Sequence, residues 1–218
     1  MKKKVIGLID GQSGNIGSIN KAIKDIIKGK PYRLKIIKGH FNYSSFDKII
    51  LPGQGAYATL MSNLKKLKII QPLKKYLENN SSYLGICVGM QILSDWGYED
   101  KTTRGLGIIS GDIKKFKNKK LIIPHMGWNT INLNKDDTII TNSFDKKDFY
   151  FVHSYIFQNI RKSDVLAFTL YGQKFPSIVK KGNIYGVQFH PEKSHKHGLN
   201  LINNYILKSL IYSQQLTK

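Results

Sequence analysis

The chain has 218 residues, of which 41% are hydrophobic, and its formal net charge at pH 7 is +21. This composition supports a sizeable core and argues against global disorder. The one cysteine, Cys87, excludes an internal disulfide and agrees with a reducing compartment. No uninterrupted apolar stretch approaches the length of a membrane span, and the run at residues 5–9 is too short for a signal peptide. We therefore expect a cytoplasmic protein without membrane association.

Strand and helix patterns alternate through the first half of the chain. Apolar runs predict strands at residues 4–10, 34–37, 48–51 and 83–86. Apolar residues at helical spacing predict helices at residues 16–27, at 56–67, near Pro72 and after Cys87. This alternation predicts a parallel sheet covered by helices on both faces.

The second half, after Gly105, has short apolar runs separated by turn signals. These runs lie at residues 106–109, 121–123, 138–140, 149–152, 165–170, 178–179 and 184–189. We expect them to extend the sheet with antiparallel pairs, and a helix over residues 198–210 to close the chain. The predicted fold class is α/β, with a mostly parallel central sheet, flanking helices and an antiparallel extension. Because there is no internal repeat and no linker, we expect a single domain over residues 1–218.

The positive charge comes almost entirely from lysine, and the lysines form scattered doublets. A basic surface attracts polyanions, so a nucleic-acid-binding module is one alternative function. However, arginine occurs only at positions 33, 104 and 161, and no zinc-finger, helix-turn-helix or aromatic–basic motif is present. We expect no nucleic-acid partner. The charge agrees better with a solvated surface or with a face that attracts an acidic protein.

Cys87 lies in the segment Gly85-Ile86-Cys87-Val88-Gly89, between a predicted strand and a predicted helix. This pattern is typical of a nucleophile elbow with cysteine in place of serine, because the glycines permit a sharp strand-to-helix turn. The positive end of the helix dipole would favour a thiolate there. A lone cysteine is more often a small buried hydrophobe, but its surroundings favour a nucleophile.

A thiolate nucleophile needs a base, and the base needs an orienting group. His190 and Glu192 follow another apolar strand and are the candidates for these two roles. Function gathers at the carboxyl ends of parallel strands, so we expect both residues close to Cys87. His153 and His125 compete for the role of base. A zinc site is a further alternative, but no metal-ligand spacing supports it.

Attack on a carbonyl forms an oxyanion that needs two preorganised N–H donors. The elbow supplies one candidate, the backbone N–H of Val88. The second donor should come from a loop after an earlier strand, and residues 52–55 (Pro-Gly-Gln-Gly) occupy that place. Glycine there permits a backbone flip.

Four segments of the chain together resemble one family. They are Gly85-Ile86-Cys87-Val88-Gly89-Met90-Gln91, Gln188-Phe189-His190-Pro191-Glu192-Lys193-Ser194, Pro124-His125-Met126-Gly127-Trp128-Asn129 and Phe151-Val152-His153-Ser154-Tyr155. The first two resemble the signatures of class I, or triad, glutamine amidotransferases. The other two, with residues 10–18 and 52–56, resemble more narrowly the HisH group, the glutaminase subunits of imidazole glycerol phosphate synthases. The resemblance covers essentially the whole chain and implies a flavodoxin-like fold.

The resemblance implies that glutamine is hydrolysed to glutamate and ammonia through a glutamyl thioester on Cys87. His190 would act as base and then as acid, and Glu192 would orient it. The implied glutamine-binding residues are Gly53, Gln91, Ser154 and Tyr155. The implied oxyanion hole consists of Val88, Gly53 and, after a peptide flip, Gln54. No cofactor and no metal is implied.

The resemblance also implies a heterodimer with a HisF-like synthase subunit of (β/α)8-barrel type. In the family, that partner receives the ammonia and makes imidazole glycerol phosphate and aminoimidazole carboxamide ribonucleotide in histidine biosynthesis. The implied partner-facing residues are Asn15, Trp128, Tyr150 and Lys193. Gln54 departs from the family pattern, which has a small apolar residue at this position, and the departure bears on the peptide flip.

Two other enzymatic alternatives stay open at this point. Relatives of the HisH group supply ammonia for surface-polysaccharide sugar synthesis, and residues 171–176 and 194–198 are somewhat closer to those. A stand-alone cysteine hydrolase or peptidase could also use a cysteine elbow on a similar sheet. The chemistry at Cys87 is the same in the first of these alternatives, and only the acceptor of ammonia differs.

Overall fold

A computed structural model of the chain describes residues 3–13, 16–118 and 120–208. The strands within these residues are β1 (Lys4–Ile9), β2 (Tyr32–Ile37), β3 (Lys48–Gly53), β4 (Ser82–Cys87), β5 (Trp96–Tyr98), β6 (Thr102–Arg104), β7 (Asp112–Lys115), β8 (His125–Thr130), β9 (Asn132–Leu133), β10 (Asp148–His153), β11 (Tyr155–Gln158), β12 (Val165–Leu170), β13 (Lys174–Lys181) and β14 (Ile184–Val187). The α-helices are α1 (Gly17–Ile27), α2 (Tyr57–Lys66), α3 (Ile70–Glu78), α4 (Val88–Gln91) and α5 (His195–Lys208).

The largest sheet in the described residues has eight strands in the order β2-β1-β3-β4-β14-β13-β12-β9. The first five of these strands are parallel, and the last three continue the sheet with antiparallel pairs. A four-stranded sheet (β11-β7-β5-β6) and the antiparallel pair β10-β8 lie outside it. The predicted α/β fold class, with a mostly parallel sheet and an antiparallel extension, is therefore confirmed.

The central parallel strands β1, β3 and β4 have long apolar runs because both of their faces are buried. Residues 5–9 of β1, 48–51 of β3 and all of β4 are buried. Helix α1 buries Ile19 and Ile23, which lie one helical turn apart on one face. The predicted strands and helices of the first half are all present, although the helix after Cys87 is a single turn.

Three apolar runs predicted to be strands are not strands, namely residues 106–109, 121–123 and 138–140. The backbone N–H groups of Leu106 and Ile108 donate instead to the carbonyls of Ile92 and Leu93, at 2.8 and 2.9 Å. These bonds satisfy carbonyl groups at the end of the short helix α4, which have no partner within the helix. Ile109, like Ile139 and Ile140 in the third run, is fully buried without joining a sheet. The apolar character of the first and third runs therefore reflects burial and not strand pairing, whereas Ile122 in the second run is 82% exposed.

Helix α5 begins three residues before the predicted start, and its predicted last two positions, 209 and 210, lie outside the described residues. Among the helices that the structure describes, none is long and apolar enough to cross a membrane.

The parallel register brings the ends of three strands together. Gly53 at the end of β3 lies opposite Cys87 at the end of β4. Val187 at the end of β14 lies opposite Ile86, so His190 follows directly on the other side of Cys87. The fold thus collects three of the segments identified from the sequence at one edge of the sheet.

Candidate active site

The backbone at Cys87 has the strained geometry of a nucleophile elbow. Its φ of 53° and ψ of −111° lie in a region that non-glycine residues rarely adopt. The flanking glycines allow close backbone contacts, since a Cβ at Gly85 would lie 2.3 Å from the Gly89 carbonyl oxygen. A Cβ at Gly89 would lie 2.0 Å from the Leu51 carbonyl oxygen. These contacts explain why the motif needs a glycine on each side of the cysteine.

His190 and Glu192 form a buried pair beside the elbow. The Nδ1 atom of His190 lies 2.9 Å from Oε1 of Glu192, and the two side chains are 2% and 7% exposed. The backbone of His190 is held by its N–H, which donates to the Tyr150 carbonyl at 2.9 Å. Ser194 Oγ donates to the His190 carbonyl at 2.6 Å. The carboxylate therefore holds the ring so that its other nitrogen, Nε2, faces away from Glu192.

The pKa of His190 is raised to about 10. Burial lowers this pKa, but the Cys87 sulfur and the Glu192 carboxylate together raise it more. Within the described residues, Nε2 of His190 is buried and makes no well-aligned hydrogen bond. The ring and the sulfur are thus electrostatic neighbours that need only a small adjustment to exchange a proton, as is common in a site without substrate.

A cavity of about 540 Å³ opens at this edge of the sheet. Its lining brings together most of the predicted site residues, namely Gln54, Cys87, Val88, Gln91, Ser154, Tyr155, His190 and Lys193. Two of the predicted residues lie beside it and not in its wall. Gly53 and Glu192 line a smaller adjoining space together with Ser13. A cavity of this size, with a nucleophile and a base in its wall, can hold a small amide substrate.

The predicted second oxyanion donor does not face the cavity in this conformation. The backbone N–H of Gln54 donates to the Ser13 carbonyl, at 3.1 Å, on the loop after β1. The next residue, Gly55, has a φ of 83°, a conformation that favours glycine. Gly53 must also be glycine, because a Cβ there would lie 2.9 Å from the Gly89 nitrogen. The peptide before Gln54 would have to flip for this N–H to reach an oxyanion.

The cavity wall contains a carboxylate that the sequence analysis missed. Glu99 lines the cavity, and its Oε2 accepts a hydrogen bond from the backbone N–H of Tyr57 at 2.7 Å, at the first turn of α2. Burial raises the pKa of Glu99, and the nearby Asp100 raises it further, against that hydrogen bond. No motif surrounds Glu99, so only the folded chain identifies it as a site residue.

The two competing histidines are held in a hydrogen-bonded pair. His125 Nδ1 lies 3.0 Å from His153 Nε2, and His153 Nδ1 lies 3.0 Å from the Tyr155 carbonyl. Burial lowers the pKa of His125 to about 4 and that of His153 to about 3. Both ring nitrogens of His153 are occupied, so it is a poorer base for Cys87 than His190. The described residues contain no group of three or more metal-ligating side chains.

Of the predicted partner-facing residues, the structure describes Trp128, Tyr150 and Lys193. Trp128 is 48% exposed and lies edge-on to Tyr150, with 6.0 Å between the ring centroids. Trp128 also stacks on His195 at 4.8 Å. Lys193 lines the active-site cavity itself. Asn15 lies outside the described residues.

The fold and this arrangement define a class of enzyme, and sequence comparison agrees. Residues 15–209 match the family Glutamine amidotransferase class-I. The chain belongs to the class I glutamine amidotransferase family. The family resemblance seen in the motifs is therefore confirmed.

Curated relatives carry one particular name. Imidazole glycerol phosphate synthase subunit HisH of Pelagibacter ubique is 39% identical over 205 residues, covering 92% of this chain and 98% of that protein. Its namesake in Methanocaldococcus jannaschii is 40% identical and covers 93% of this chain and 98% of that protein. Imidazole glycerol phosphate synthase subunit HisH 1 of Campylobacter jejuni is 40% identical, with 92% and 98% covered.

Solved structures agree on the fold. PurLQS of Thermotoga maritima superimposes with a TM-score of 0.71 at 18% identity, covering 94% of this chain and 98% of that one. A glutamine amidotransferase of Thermotoga maritima gives a TM-score of 0.63 at 16% identity, with 99% and 84% covered.

Proposed function

We propose that this chain is the glutaminase subunit of an imidazole glycerol phosphate synthase and acts in histidine biosynthesis. The observation that carries the proposal is the strained Cys87 elbow beside the buried His190–Glu192 pair, in the wall of one cavity. Relatives named as HisH subunits at about 40% identity over nearly their whole length support the same assignment. We further propose that residues 1–218 form a single amidotransferase domain.

The reaction begins when the Cys87 thiol gives its proton to Nε2 of His190. The thiolate attacks the side-chain amide carbon of glutamine, and the carbonyl π electrons move to oxygen to form an oxyanion. When the C–N bond breaks, His190 donates its proton to the leaving nitrogen, and ammonia departs from a glutamyl thioester. His190 then takes a proton from water, which attacks the thioester. Glutamate leaves, and the sulfur recovers its proton.

Glu192 assists by holding the His190 ring and by stabilising the imidazolium that forms in each half of the reaction. The raised pKa of His190 supports this role, because it reflects a site in which the protonated ring is favoured. The first oxyanion donor is the backbone N–H of Val88, at the start of α4. The second is the N–H of Gln54, after it leaves the Ser13 carbonyl.

Substrate recognition uses the polar groups around the cavity. We assign the α-ammonium group of glutamine to the Glu99 carboxylate, which lines the cavity. We assign the rest of the substrate to Gln91, Ser154 and Tyr155. Because Gly53 has no side chain, the substrate can approach the backbone of Gly53 closely. No step requires a cofactor.

The bond between Gln54 and Ser13 suggests how the partner controls the reaction. While Gln54 donates to Ser13, the oxyanion hole has one donor, and hydrolysis is slow. A partner that binds the conformation with Gln54 turned inward would shift the population toward the active site's complete form. Such coupling prevents ammonia release when no acceptor is present.

We propose that this partner is a (β/α)8-barrel synthase subunit and that the complex is a cytoplasmic heterodimer. The exposed Trp128, which packs edge-on against the half-buried Tyr150, lines a second cavity of about 520 Å³, whose wall also carries Lys146, Lys147 and Lys196. An aromatic centre with a basic rim is suited to an acidic protein face. A reducing compartment keeps the single thiol available.

The names of the relatives favour histidine biosynthesis over the surface-polysaccharide alternative. A stand-alone hydrolase is less well supported, because those relatives are named as subunits. Nucleic-acid binding has no support from the site.

Glutamine hydrolysis measured with and without the barrel subunit of the same organism tests the proposal. The isolated chain should hydrolyse glutamine slowly, and addition of the barrel subunit with its acceptor substrate should increase the rate by orders of magnitude. Free ammonia should replace this chain entirely in the synthase reaction. If the complex forms but glutamine is hydrolysed at the same rate with and without it, the proposed control by the partner is wrong. If the complex makes no imidazole glycerol phosphate from ammonia, the assignment to histidine biosynthesis is wrong.

A further inference from the structure

The side chain of Gln188 contacts the nucleophile, and none of the roles described above uses it. Gln188 follows β14 and is fully buried, with 0% of its surface exposed. Its Nε2 atom lies 3.7 Å from Sγ of Cys87. Its Oε1 atom accepts a hydrogen bond from Nε2 of Gln91 at 3.1 Å. Both ends of this amide therefore have partners inside the site.

The carbonyl of Tyr155 determines which end of the Gln188 amide faces the sulfur. A carbonyl can only accept, so Gln91 must present its Nε2 to it, at 3.1 Å. The same nitrogen donates its second hydrogen to Gln188 and therefore requires the oxygen of Gln188. The nitrogen of Gln188 is left to face Cys87, so the contact with sulfur is an N–H donor.

A chain of hydrogen bonds with a single direction anchors this arrangement. Asn129 Nδ2 donates to His125 Nε2 at 3.1 Å, so His125 must carry its proton on Nδ1 and donate to His153. His153 in turn donates from Nδ1 to the Tyr155 carbonyl. Burial keeps both imidazoles neutral, which preserves these tautomers. The Tyr155 carbonyl, and with it the two glutamine amides, is thereby fixed in place.

Two groups contact Sγ of Cys87, and one suits the thiol whereas the other suits the thiolate. The carbonyl of Val152 lies 3.9 Å from Sγ and can accept only from the thiol. The amide of Gln188 can donate to the thiolate and gains strength when the sulfur is charged. The two contacts are on different residues, so they can be separated by substitution.

We propose that Gln188 is a further active-site residue, outside the triad of Cys87, His190 and Glu192, whose N–H binds the Cys87 thiolate and fixes the direction from which it attacks. The same N–H stabilises the sulfur when the thioester breaks and the electron pair of the C–S bond returns to it. The proton that leaves Sγ passes to Nε2 of His190. The catalytic consequence rests on the proposed function, whereas the contact with the thiolate exists in the free chain and can be tested without glutamine.

Two substitutions separate this role from simple packing. Gln188→Met keeps the length of the side chain and removes the donor. Gln188→Glu keeps an acceptor for Gln91 but turns a carboxylate oxygen toward the sulfur. Ser177→Ala is the matched control, because the Ser177 carbonyl accepts the backbone N–H of Gln188. The Ser177 hydroxyl itself is buried and has no hydrogen-bond partner in the described residues.

The measurement is the rate of alkylation of Cys87 by iodoacetamide as a function of pH, which is unambiguous because the chain has one thiol. The midpoint should rise by about one pH unit in Gln188→Met, which corresponds to the loss of one charge-assisted hydrogen bond. It should rise further in Gln188→Glu and stay at the wild-type value in Ser177→Ala. With the partner present, kcat in Gln188→Met should fall about tenfold, with a smaller change in KM.

Unchanged alkylation midpoints in folded Gln188→Met and Gln188→Glu would overturn the proposal. If neither variant folds, the side-chain N–H resonances of Gln188 in the wild-type protein decide the question. They should shift with pH at the alkylation midpoint and lose that shift in Cys87→Ala. Resonances that do not respond would also overturn it. A chain that hydrolyses no glutamine with any partner, yet shows the midpoint shifts, would contradict the proposed function alone.

Discussion

Two buried basic side chains lie at opposite ends of the parallel strands and differ in what surrounds them. His190, at the carboxyl ends, lies between the Cys87 sulfur and the Glu192 carboxylate, and its pKa is raised to about 10. Lys48 begins β3 at the amino ends and is fully buried. Burial, and after it the charge of Lys4, lower the pKa of Lys48 to about 7, although Asp47 opposes them. Both side chains are buried, yet the pKa of His190 is raised and the pKa of Lys48 is lowered.

The surroundings that the structure describes differ between the two side chains. His190 has a carboxylate at 2.9 Å, whereas the ammonium of Lys48 donates to the Tyr205 carbonyl at 2.6 Å and lies 5.1 Å from the Tyr205 ring centre. A carbonyl and a ring face stabilise a cation less than an anion does. The site end of the sheet retains a charge that the reaction uses, whereas burial at the other end disfavours the charged form of Lys48.

The largest expected effect comes from removing the nucleophile. Cys87→Ala should reduce glutamine hydrolysis by about 10⁴-fold or more, because no other thiol can form the thioester. His190→Ala should cost nearly as much, since it removes the proton acceptor. Steady-state ammonia release, with circular dichroism as the folding control, measures both. A mild His190→Ala and a severe His153→Ala would mean that the wrong histidine has been assigned.

The next largest effect is expected from removing the charge of Glu192, which separates its role beside His190 from that of the Cys87 sulfur. Glu192→Gln should leave about one to two orders of magnitude more activity than His190→Ala, since it removes only orientation and charge stabilisation. Glu192 raises the pKa of His190, so this variant should move the alkaline limb of the pH–rate profile downward. A pH–rate profile that keeps its wild-type alkaline limit would contradict the role of Glu192.

Thermal unfolding gives an independent reading of the same pair. Because the pKa of His190 is raised from 6.5 to about 10, its contribution to stability is fully present below pH 6.5 and is lost as pH rises through 10. The deficit of Glu192→Gln relative to wild type should therefore be largest near pH 6 and shrink at alkaline pH. A deficit that is constant from pH 6 to pH 10 would indicate that the pair contributes no proton-linked stability.

Glu99→Gln tests the carboxylate in the cavity wall. Loss of the charge opposite the substrate ammonium should raise KM for glutamine about tenfold and change kcat less. Glu78→Gln makes the same change of charge on the exposed surface of α3 and is the matched control. Equal KM values in the two variants would remove Glu99 from substrate recognition.

The smallest effect on turnover is expected at the opposite end of the sheet. Lys48→Met should raise the free energy of unfolding by about 1–4 kcal/mol near pH 7 and leave hydrolysis nearly unchanged. The folded-state pKa lies below the unfolded value of 10.5, so the cost of Lys48 is complete below pH 7 and vanishes above pH 10.5. Melting curves from pH 6 to pH 10 should show this gain shrinking. Lys75→Met, on the exposed surface, controls for loss of a lysine, and a gain that does not depend on pH would contradict the account.

Much of the fold could be predicted because the central strands are buried on both faces. Continuous apolar runs identify β1, β3 and β4, and alternation with amphipathic helices indicates parallel pairing. Strands β6 and β9 could not be predicted, since they are too short to show periodicity. Conversely, Leu106 and Ile109 are buried, and the backbone of residues 106–109 donates to carbonyls just after α4 and not to a strand. No local sequence pattern distinguishes such a buried loop from a strand.

Some residues of the candidate site could be predicted from the sequence, and others could not. Cys87 and His190 lie in short motifs with a local meaning, and the structure brings their side chains together. Glu99 lies in no motif, and Gln188 begins the segment that contains His190, but the sequence assigned it no role. Gln188 reaches Cys87 across 101 positions of the chain and Gln91 across 97, and such contacts depend on the register of β14 against β4. Side chains placed by register become visible only in the folded chain.

The central claim is that Cys87 forms a covalent bond with the side-chain carbon of glutamine. An electrophilic glutamine analogue, followed by peptide mass mapping of the chain in complex with its barrel partner, tests this most directly. The account predicts one adduct, on the peptide that contains Cys87, which excess glutamine prevents and which Cys87→Ala abolishes. An adduct on any other residue, or no adduct under conditions in which the same preparation hydrolyses glutamine, would contradict it.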